Sequence, residues 1–238
     1  MIMIKRIMYK LGYYYVRRSS ASYIAHLKSK GVVIGEGTYI QNPMTTEIDV
    51  TRPSLITIGK DCFFNDHVEL HSHDWVTHVF LRSDREFVNS SGRITIGNNV
   101  AFGRHVMVLK GVTIGDNCFI GAGSIVTKDI PANSIAVGAP CRVVSSLEEF
   151  YQKRLAACEA EAMDYARSIV ERFHREPVAA DFREEFPFFV GGDEVDEYPE
   201  IPIRFQCGPR YREYVTTHKA KYGSLDEFLK AAGCKLKY

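Results

Sequence analysis

The segment from residue 68 to residue 74 carries the side chains of this chain that are best suited to moving a proton. It reads Val-Glu-Leu-His-Ser-His-Asp, so that His71 and His73 lie among the carboxylates of Glu69 and Asp74. A histidine side chain of ordinary pKa, about 6.5, is mostly neutral near neutral pH and accepts the proton of an attacking hydroxyl group or amine. The segment therefore supplies candidates for a general base.

The neighbours of these histidines are candidates for supporting roles. Asp74 or Glu69 could hold an imidazole in one tautomer, and their spacing does not choose between them. His71 could orient a substrate, because residues two apart on an extended strand point to the same side as each other, here His71 and His73. His78 lies further along the chain and is the second candidate for the base.

A repeat of six residues positions this segment. Apolar anchors recur with this spacing on both sides of it, and glycine follows many of them directly. The anchors are Ile34, Ile40, Ile58, Phe64, Leu70, Ile96, Phe102, Val108, Ile114, Ile120 and Val126. A period of six fits neither a helix face nor strand alternation. It predicts a chain that winds as a triangular prism, with one short strand on each side.

The repeat also sets the expected domain boundaries. Residues 32–144 hold the repeat, and the polar, aperiodic segment 74–91 interrupts it. A long loop ejected from a regular scaffold is usually functional. We expect residues 1–31 to form a helical cap over the first coil, because an exposed strand edge invites aggregation. Residues 145–238 lose the repeat and are expected to be mostly helical.

Two helices of the C-terminal extension have recognisable ends. Ser145 or Ser146 is a suitable N-cap for one long helix, since a serine oxygen accepts from free N–H groups in the first turn. Ser224 opens a second, shorter helix, and Gly233 closes it. The sequence does not indicate what this extension does.

Composition and charge exclude some classes of function. The chain has 238 residues and a formal net charge of +1, which lacks the basic excess typical of nucleic-acid binding. Its six cysteines are scattered, without a Cys-x-x-Cys pair. Cys62 and Cys118 fall at small inward positions of the repeat, and we interpret them as buried thiols rather than disulfide or metal partners. This pattern suits a reducing cytoplasm.

The N-terminal residues 1–15 are apolar and basic. Lys5, Arg6 and Lys10 interrupt them, and no run of the chain approaches the roughly 20 apolar residues of a membrane span. We favour a helix packed on the end of the prism. Weak apposition to a membrane through an amphipathic helix is the alternative.

The stretch from Ile94 to Val144 closely resembles the hexapeptide-repeat acyltransferases, and among them the galactoside, maltose and polysaccharide O-acetyltransferases. The phrases TIGNN, VTIGDN, IGAGSIVTKDIP and GAPCRV carry the resemblance. It implies a mainly β fold built on a left-handed parallel β-helix, with the helical cap and extension at its ends. It also implies a homotrimer with active sites between neighbouring prisms, acetyl-CoA as co-substrate and no metal.

The resemblance also implies roles for individual residues. The resembling enzymes place their catalytic histidine where the repeat meets the long loop, and His73 is the matching position. His105 lies on a repeat side that could face the same cleft. The positions that would bind coenzyme A are the backbone of Gly103, Gly121 and Ala122 along the pantetheine arm, the N–H of Arg104 at the thioester, and Thr127, Lys128 and Arg142 at the nucleotide end.

Two departures from the family pattern concern the acceptor. Ala101 stands where many relatives have tryptophan, so a wall of a binding pocket is smaller here or filled from elsewhere. The extension over residues 145–238 is much longer than the tail of the simple galactoside enzymes. A larger acceptor, such as a glycan or a lipid-linked sugar, becomes more plausible.

The resemblance predicts a CoA-dependent O-acetyltransferase that acts on a sugar hydroxyl in polysaccharide or lipopolysaccharide assembly, in the cytoplasm or at the inner face of its membrane. An N-acetyltransferase acting on an amino sugar is the near alternative. A zinc enzyme of the gamma carbonic anhydrase type is another, because His67, His71, His73 and His105 could supply three ligands and leave an open zinc position. A trimeric scaffold without catalysis is the third.

Overall fold

The structure, a computed structural model, describes residues 11–234. The chain divides into two compact units, of which the first extends to Tyr151 and the second begins at Gln152. Most of the basic and apolar N-terminal stretch, including Lys5, Arg6 and Lys10, lies outside the described residues. Among the residues described, no helix combines the length and the apolar character needed to cross a bilayer.

The first unit is built from very short strands. In chain order they are β1 (Val33–Ile34), β2 (Tyr39–Ile40), β3 (Glu47–Ile48), β4 (Ile56–Ile58), β5 (Phe63–Phe64), β6 (Glu69–His71), β7 (Ile94–Ile96), β8 (Val100–Phe102), β9 (Met107–Leu109), β10 (Thr113–Ile114), β11 (Cys118–Ile120), β12 (Ile125–Val126), β13 (Ser134–Val137) and β14 (Arg142–Ser146).

The strands form three sheets, and each coil of the chain gives one strand to each sheet. The sheet orders are β1-β4-β7-β10, then β2-β5-β8-β11-β13 with β14 added, and β3-β6-β9-β12. All pairings are parallel except β13 with β14, which is antiparallel and ends the stack. Successive coils therefore stack strand on strand, as the six-residue period predicts for a parallel β-helix.

The anchors of the repeat fill the interior of this coil. Those from Ile40 to Val126 are at most 1% exposed, and Ile34 is 6% exposed. Anchors on neighbouring coils touch, as Phe64 and Phe102 do with ring centroids 4.8 Å apart. Full burial of such a side chain contributes about 1.5–3 kcal/mol, so this column of anchors dominates the stability of the unit.

Neighbouring coils approach each other so closely at Gly103 that a side chain would not fit there. A Cβ atom on Gly103 would lie 2.5 Å from the backbone nitrogen of Ala122. At the neighbouring corner, Asn99, Asn117 and Asn133 all have φ between 53° and 58°. Asparagine tolerates this left-handed conformation better than most residues. The side-chain amides of the three asparagines form hydrogen bonds with one another, at 2.9 and 3.0 Å, and these bonds connect three coils.

Helices flank the coil in the first unit. Residues 11–16 are helical, and α1 (Ser20–Lys30) follows, with Ser19 as its N-cap and Gly31 in the left-handed conformation at its end. Tyr23 and Leu27 of α1 pack into the same core as the anchors of the first coil. A short helix, α2 (Thr77–Arg82), lies within the ejected loop.

The long helix α3 (Leu147–Phe173) begins as the sequence predicts. The Ser146 hydroxyl accepts from the N–H of Glu149 at 3.1 Å, and the Ser146 N–H donates back to the Glu149 carboxylate at 3.0 Å. This reciprocal pair is a capping box. The residue that caps the helix is therefore Ser146, one of the two serines expected.

The second unit is mostly helical around an aromatic core. Its helices after α3 are α4 (Ile203–Cys207), α5 (Tyr211–Thr217) and α6 (Leu225–Ala232). Phe182, Phe189 and Phe228 are fully buried and meet with ring centroids 5.6–5.7 Å apart. The predicted ends of α6, Ser224 and Gly233, are confirmed.

Candidate active site

The site is built where β3 and β6 end side by side. These strands pair in parallel, with Ile48 opposite Leu70, and the N–H of Asp49 donates to the carbonyl of Leu70 at 3.1 Å. Parallel neighbours finish at the same edge of a sheet. Asp49, the first residue after β3, is therefore placed beside Ser72 and His73, which follow β6.

At this edge His73 and Asp49 form a hydrogen-bonded pair. The Nδ1 atom of His73 lies 2.6 Å from Oδ2 of Asp49, with side chains 20% and 7% exposed. An ionised carboxylate only accepts, so Nδ1 carries the proton and Nε2 carries the lone pair. The Nε2 atom has no hydrogen-bond partner among residues 11–234. In the neutral form of the ring, this arrangement leaves Nε2 available to accept a proton.

The Asp49 carboxylate is held in its ionised form. It accepts from the hydroxyl of Ser72 at 2.5 Å, from the hydroxyl of Thr51 at 2.6 Å and from the N–H of Thr51 at 2.9 Å, besides His73. Burial raises the pKa of Asp49, but these hydrogen bonds outweigh it and hold the pKa well below its usual range. Asp49 therefore keeps a negative charge beside the imidazole.

The ejected loop is clamped at its base next to this pair. His73 and Ser91 form an antiparallel bridge, and the N–H of Gly92 donates to the carbonyl of Ser72 at 2.9 Å. Asp74 forms an ion pair with Lys110, and this contact, with hydrogen bonds from the Val76 N–H and the Ser90 hydroxyl, lowers the pKa of Asp74 to about 2. One end of the loop is thereby fixed to Ser72 and His73, and the other to Lys110 on the next coil.

The partner of His73 is neither of the two carboxylates that the sequence suggested. Glu69 contacts the ring of His71, with Oε2 2.8 Å from Nε2, and Asp74 is engaged by Lys110. The expected tautomer-holding role of Glu69 or Asp74 is corrected in favour of Asp49. Both lie within four residues of His73 in the sequence, but the pairing of β3 with β6 brings Asp49, 24 residues away, into contact with the ring.

The second candidate for the base lies away from this pair. His78 is on α2, is exposed, and contacts the guanidinium of Arg82 through Nδ1 at 3.0 Å. It does not line either of the two pockets that reach His73. The structure thus gives His73, and not His78, a buried carboxylate partner.

Two pockets, each of about 330 Å³, share His73 and Thr51. The first, the loop pocket, lies under the ejected loop and is otherwise lined by Arg52, Asp74, Trp75, Thr77, Phe87, Asn89 and Ser90. The second, the strand pocket, is otherwise lined by Glu47, Ile48, Asp49, Val50, Leu70 and His71. His71 and His73 therefore meet at one cavity, as expected. The imidazole of His73 borders both cavities, so that two substrates could approach it from different sides.

The residues expected at coenzyme A lie on later coils. The N–H groups of Gly103 and Gly121 donate to the next coil, to the carbonyls of Ile120 and Ala136, each at 2.8 Å. The carbonyls of these two glycines are therefore the backbone groups that a ligand could still contact. The Gly121 carbonyl already accepts one hydrogen bond, from the Ser124 hydroxyl at 2.5 Å.

The remaining expected coenzyme A residues are exposed. Ala122 and Arg104 lie at corners, and Arg104 pairs with Asp66 at 3.3 Å. Lys128 and the adjacent Thr127 follow β12. Arg142 opens β14 and donates to the Cys141 carbonyl at 2.7 Å. None of the seven residues expected at coenzyme A lines the loop pocket or the strand pocket.

The histidines of the zinc alternative separate into different environments. His67 and His105 stack on each other with centroids 4.4 Å apart, while His71 contacts Glu69 and His73 contacts Asp49. Over residues 11–234, no group of three or more histidine, cysteine, aspartate or glutamate side chains is placed to hold a metal ion. All six cysteines are free, and Cys62 and Cys118 are buried as predicted.

Sequence reasoning missed Asp49, Thr51 and Ser72. The signal that identifies them is the alignment of coils, because Asp49 follows the anchor Ile48 as His71 follows the anchor Leu70. The anchors before it, Ile40 and then Ile48, are eight residues apart rather than six. This irregular corner conceals the register of β3.

Comparison with known proteins finds a family match within the coil and similar proteins. Residues 93–128 match the family described as bacterial transferase hexapeptide (six repeats). The galactoside O-acetyltransferase of Escherichia coli (strain K12) is 45% identical over 116 residues, which is 49% of this chain and 54% of that protein. The chain thus spans about half the length of this curated relative.

Solved structures give two further relatives. A galactoside acetyltransferase in complex with coenzyme A is 34% identical, with 62% of this chain and 83% of that chain covered and a TM-score of 0.42. A hexapeptide-repeat-containing acetyltransferase from Vibrio cholerae O1 biovar eltor, complexed with acetyl coenzyme A, is 28% identical, with 48% and 59% covered and a TM-score of 0.41. Residues 93–128 thus match the bacterial transferase hexapeptide family, and about half of the chain is similar in sequence to a galactoside O-acetyltransferase.

Proposed function

We propose that this protein transfers the acetyl group of acetyl-CoA to a hydroxyl group of a sugar, with His73 as the general base. The observation that carries the proposal is the pairing of His73 Nδ1 with the buried Asp49 carboxylate, which leaves Nε2 without a partner among the described residues. The similarity to a protein named galactoside O-acetyltransferase supports the reaction class.

The proposed reaction proceeds by direct attack. Nε2 of His73 takes the proton of the sugar hydroxyl as its oxygen forms a bond to the acetyl carbonyl carbon. The carbon–sulfur bond of the thioester then breaks, and the imidazolium returns the proton to the departing thiolate. Asp49 remains ionised throughout and stabilises the imidazolium that forms in between.

The residues proposed to bind coenzyme A follow the family pattern. The carbonyls of Gly103 and Gly121 and the corner at Ala122 would contact the pantetheine arm, and the Arg104 N–H would face the thioester. Lys128 and Arg142, with the adjacent Thr127, would meet the nucleotide end, since their cationic side chains suit phosphate. His71, which lines the strand pocket together with His73, would orient a substrate there.

The proposal includes a homotrimer and a left-handed sense of winding, both from the family resemblance. In a trimer, a neighbouring subunit would bring its later coils to the pockets of His73, which accounts for the distance between the two residue sets within one chain. The free cysteines fit a reducing compartment, so we place the protein in the cytoplasm, acting in polysaccharide assembly. Sedimentation velocity of the purified protein tests the trimer.

The reaction is tested with purified protein, acetyl-CoA and a panel of sugars. Release of free thiol measures turnover, and the mass of each product identifies the acetylated acceptor. We expect O-acetyl sugars, which lose their acetyl group in mild base. Products only with amino sugars, stable in mild base, would move the proposal to N-acetylation, and thiol release from no acceptor would refute the proposed function.

A further inference from the structure

We infer that the acceptor carries an anionic group, a carboxylate or a phosphate, and that Arg52 recognises it in the loop pocket. This inference rests on the proposed function and narrows its substrate class. It comes from the cavity under the ejected loop, where one cation is left without a counter-charge.

Arg52 is placed firmly at this pocket. It follows Thr51, whose hydroxyl bonds Asp49 at 2.6 Å, and its own carbonyl accepts from the N–H of Leu55 at 3.0 Å. The residue is half-buried and lines the loop pocket together with His73. A ligand in this pocket therefore contacts the proposed base and the guanidinium at the same time.

The Arg52 guanidinium has no hydrogen-bond or ion-pair partner among residues 11–234. Asp74, the carboxylate in the lining of this pocket, is already engaged by Lys110 and Ser90. A partly desolvated cation with five donors is costly to leave unpaired. An anionic ligand would supply the missing partner.

The other cations near the loop do not compete for this role. Lys110 pairs with Asp74, Arg82 contacts His78 at 3.0 Å, and Arg85 donates to the carbonyl of Ser83 at 3.2 Å. Arg82 and Arg85 do not line the loop pocket. Arg52 is therefore the cation in the lining of this cavity whose N–H groups are available to a ligand.

The remaining walls suit a sugar ring. Trp75 and Phe87 are 76% and 70% exposed and offer apolar faces, while Asn89 adds an amide. The Thr77 hydroxyl oxygen is buried and has no hydrogen-bond partner among the described residues. Mostly apolar walls with a few placed polar groups are typical of small-ligand sites. The planar fork of arginine matches carboxylate and phosphate oxygens in pairs.

The test compares three acceptors that differ only at C6: methyl β-D-galactoside, methyl β-D-galacturonide and methyl β-D-galactoside 6-phosphate. The wild-type enzyme should acetylate at least one of the two anionic sugars with a lower KM than the neutral one, and the preferred anion distinguishes carboxylate from phosphate. Arg52→Gln should raise KM for that anionic sugar by about 10- to 100-fold, the usual effect of losing a charged hydrogen bond. The kcat and the KM for the neutral galactoside should change by less.

Arg85→Gln is the matched control, because it removes an exposed arginine of the same loop outside the pocket, and Arg52→Lys should recover part of the loss. Equal KM values for all three sugars, or an unchanged preference in Arg52→Gln, would overturn the inference while leaving the proposed function intact. If no sugar is acetylated, the proposed function fails. In that case, saturation-transfer NMR compares binding of the same sugars to the wild-type protein and to Arg52→Gln. Weaker binding of the anionic sugars to Arg52→Gln would support the inference, and equal binding would overturn it.

Discussion

Nδ1 of His73 lies 2.6 Å from Oδ2 of Asp49, although the two residues are 24 positions apart in the chain. One turn of the coil separates them, because β3 and β6 pair in parallel and end at the same edge. The pair therefore depends on the register of two short strands. The effect of the His73–Asp49 pair on kcat and its effect on the free energy of unfolding can be measured separately.

Replacing Asp49 by Asn should lower kcat while the protein stays folded. An amide can donate to Nδ1 of His73 and favour the tautomer in which Nε2 carries the proton, which is the wrong form for a base. We expect kcat to fall by about 100-fold or more. Thiol release from acetyl-CoA measures it, with Asp164→Asn, an exposed aspartate of α3, as the control.

The double variant Asp49→Asn/His73→Ala provides a check on this role. Residues that act as a unit do not contribute additively. The double variant should therefore be no slower than His73→Ala alone. A further loss of the same size as that of Asp49→Asn alone would mean that Asp49 acts independently of His73.

The Asp49 network should make the fold sensitive to acid. Because hydrogen bonds hold the pKa of Asp49 below its ordinary value of 3.8, its stabilising contribution is present above that value. The contribution is lost as the pH falls through the lower pKa of the folded protein. Urea unfolding at several pH values should show the wild-type advantage over Asp49→Asn shrinking below the ordinary pKa. A difference that stays constant down to strongly acidic pH would contradict the assignment.

The Lys110–Asp74 contact should control the order of the ejected loop. Lys110→Met keeps the length of the side chain but removes the ion pair that, with Ser90, fastens the base of the loop. We expect faster hydrogen exchange over residues 74–91, with little change in the free energy of unfolding, since exposed ion pairs contribute little. Unaltered exchange in the loop would show that the Ser72 and Gly92 backbone bonds suffice.

The anchors of the repeat should dominate the stability of the coil. Ile96→Ala removes a side chain that is 1% exposed and should cost about 2–5 kcal/mol in the free energy of unfolding. Thr95→Ala, one residue earlier on the same strand and exposed, is the matched control and should change it by less than about 0.5 kcal/mol. Chemical denaturation compares them, and equal effects would contradict the inward placement of the anchors.

The sequence predicted the coil well because its signal is local and periodic. One anchor in six has to face inward in every coil, so the period alone assigns Phe64, Phe102 and Ile120 to the interior, where all three are buried. The ends of α6 are predictable from equally local signals, since Ser224 and Gly233 cap the helical turns next to them. The ejected loop was recognised as the break in the same period.

The partner of His73 was not predictable in this way. Asp49 reaches it through strand pairing across a coil, and the corner before β3 is two residues longer than the regular repeat. Sequence proximity therefore favoured Asp74, which instead meets Lys110 on the next coil. The pairing of residues across coils depends on corner lengths, which composition and period do not specify.

The central claim is tested most directly by the turnover of His73→Ala with acetyl-CoA and an accepted sugar. Loss of a general base should lower kcat by about 100- to 10,000-fold. The Kd for acetyl-CoA and the thermal midpoint should stay close to wild type, because the imidazole is not part of the interior core. Turnover at the wild-type rate would contradict the assignment of His73 as the base and, with it, the mechanism proposed for this protein.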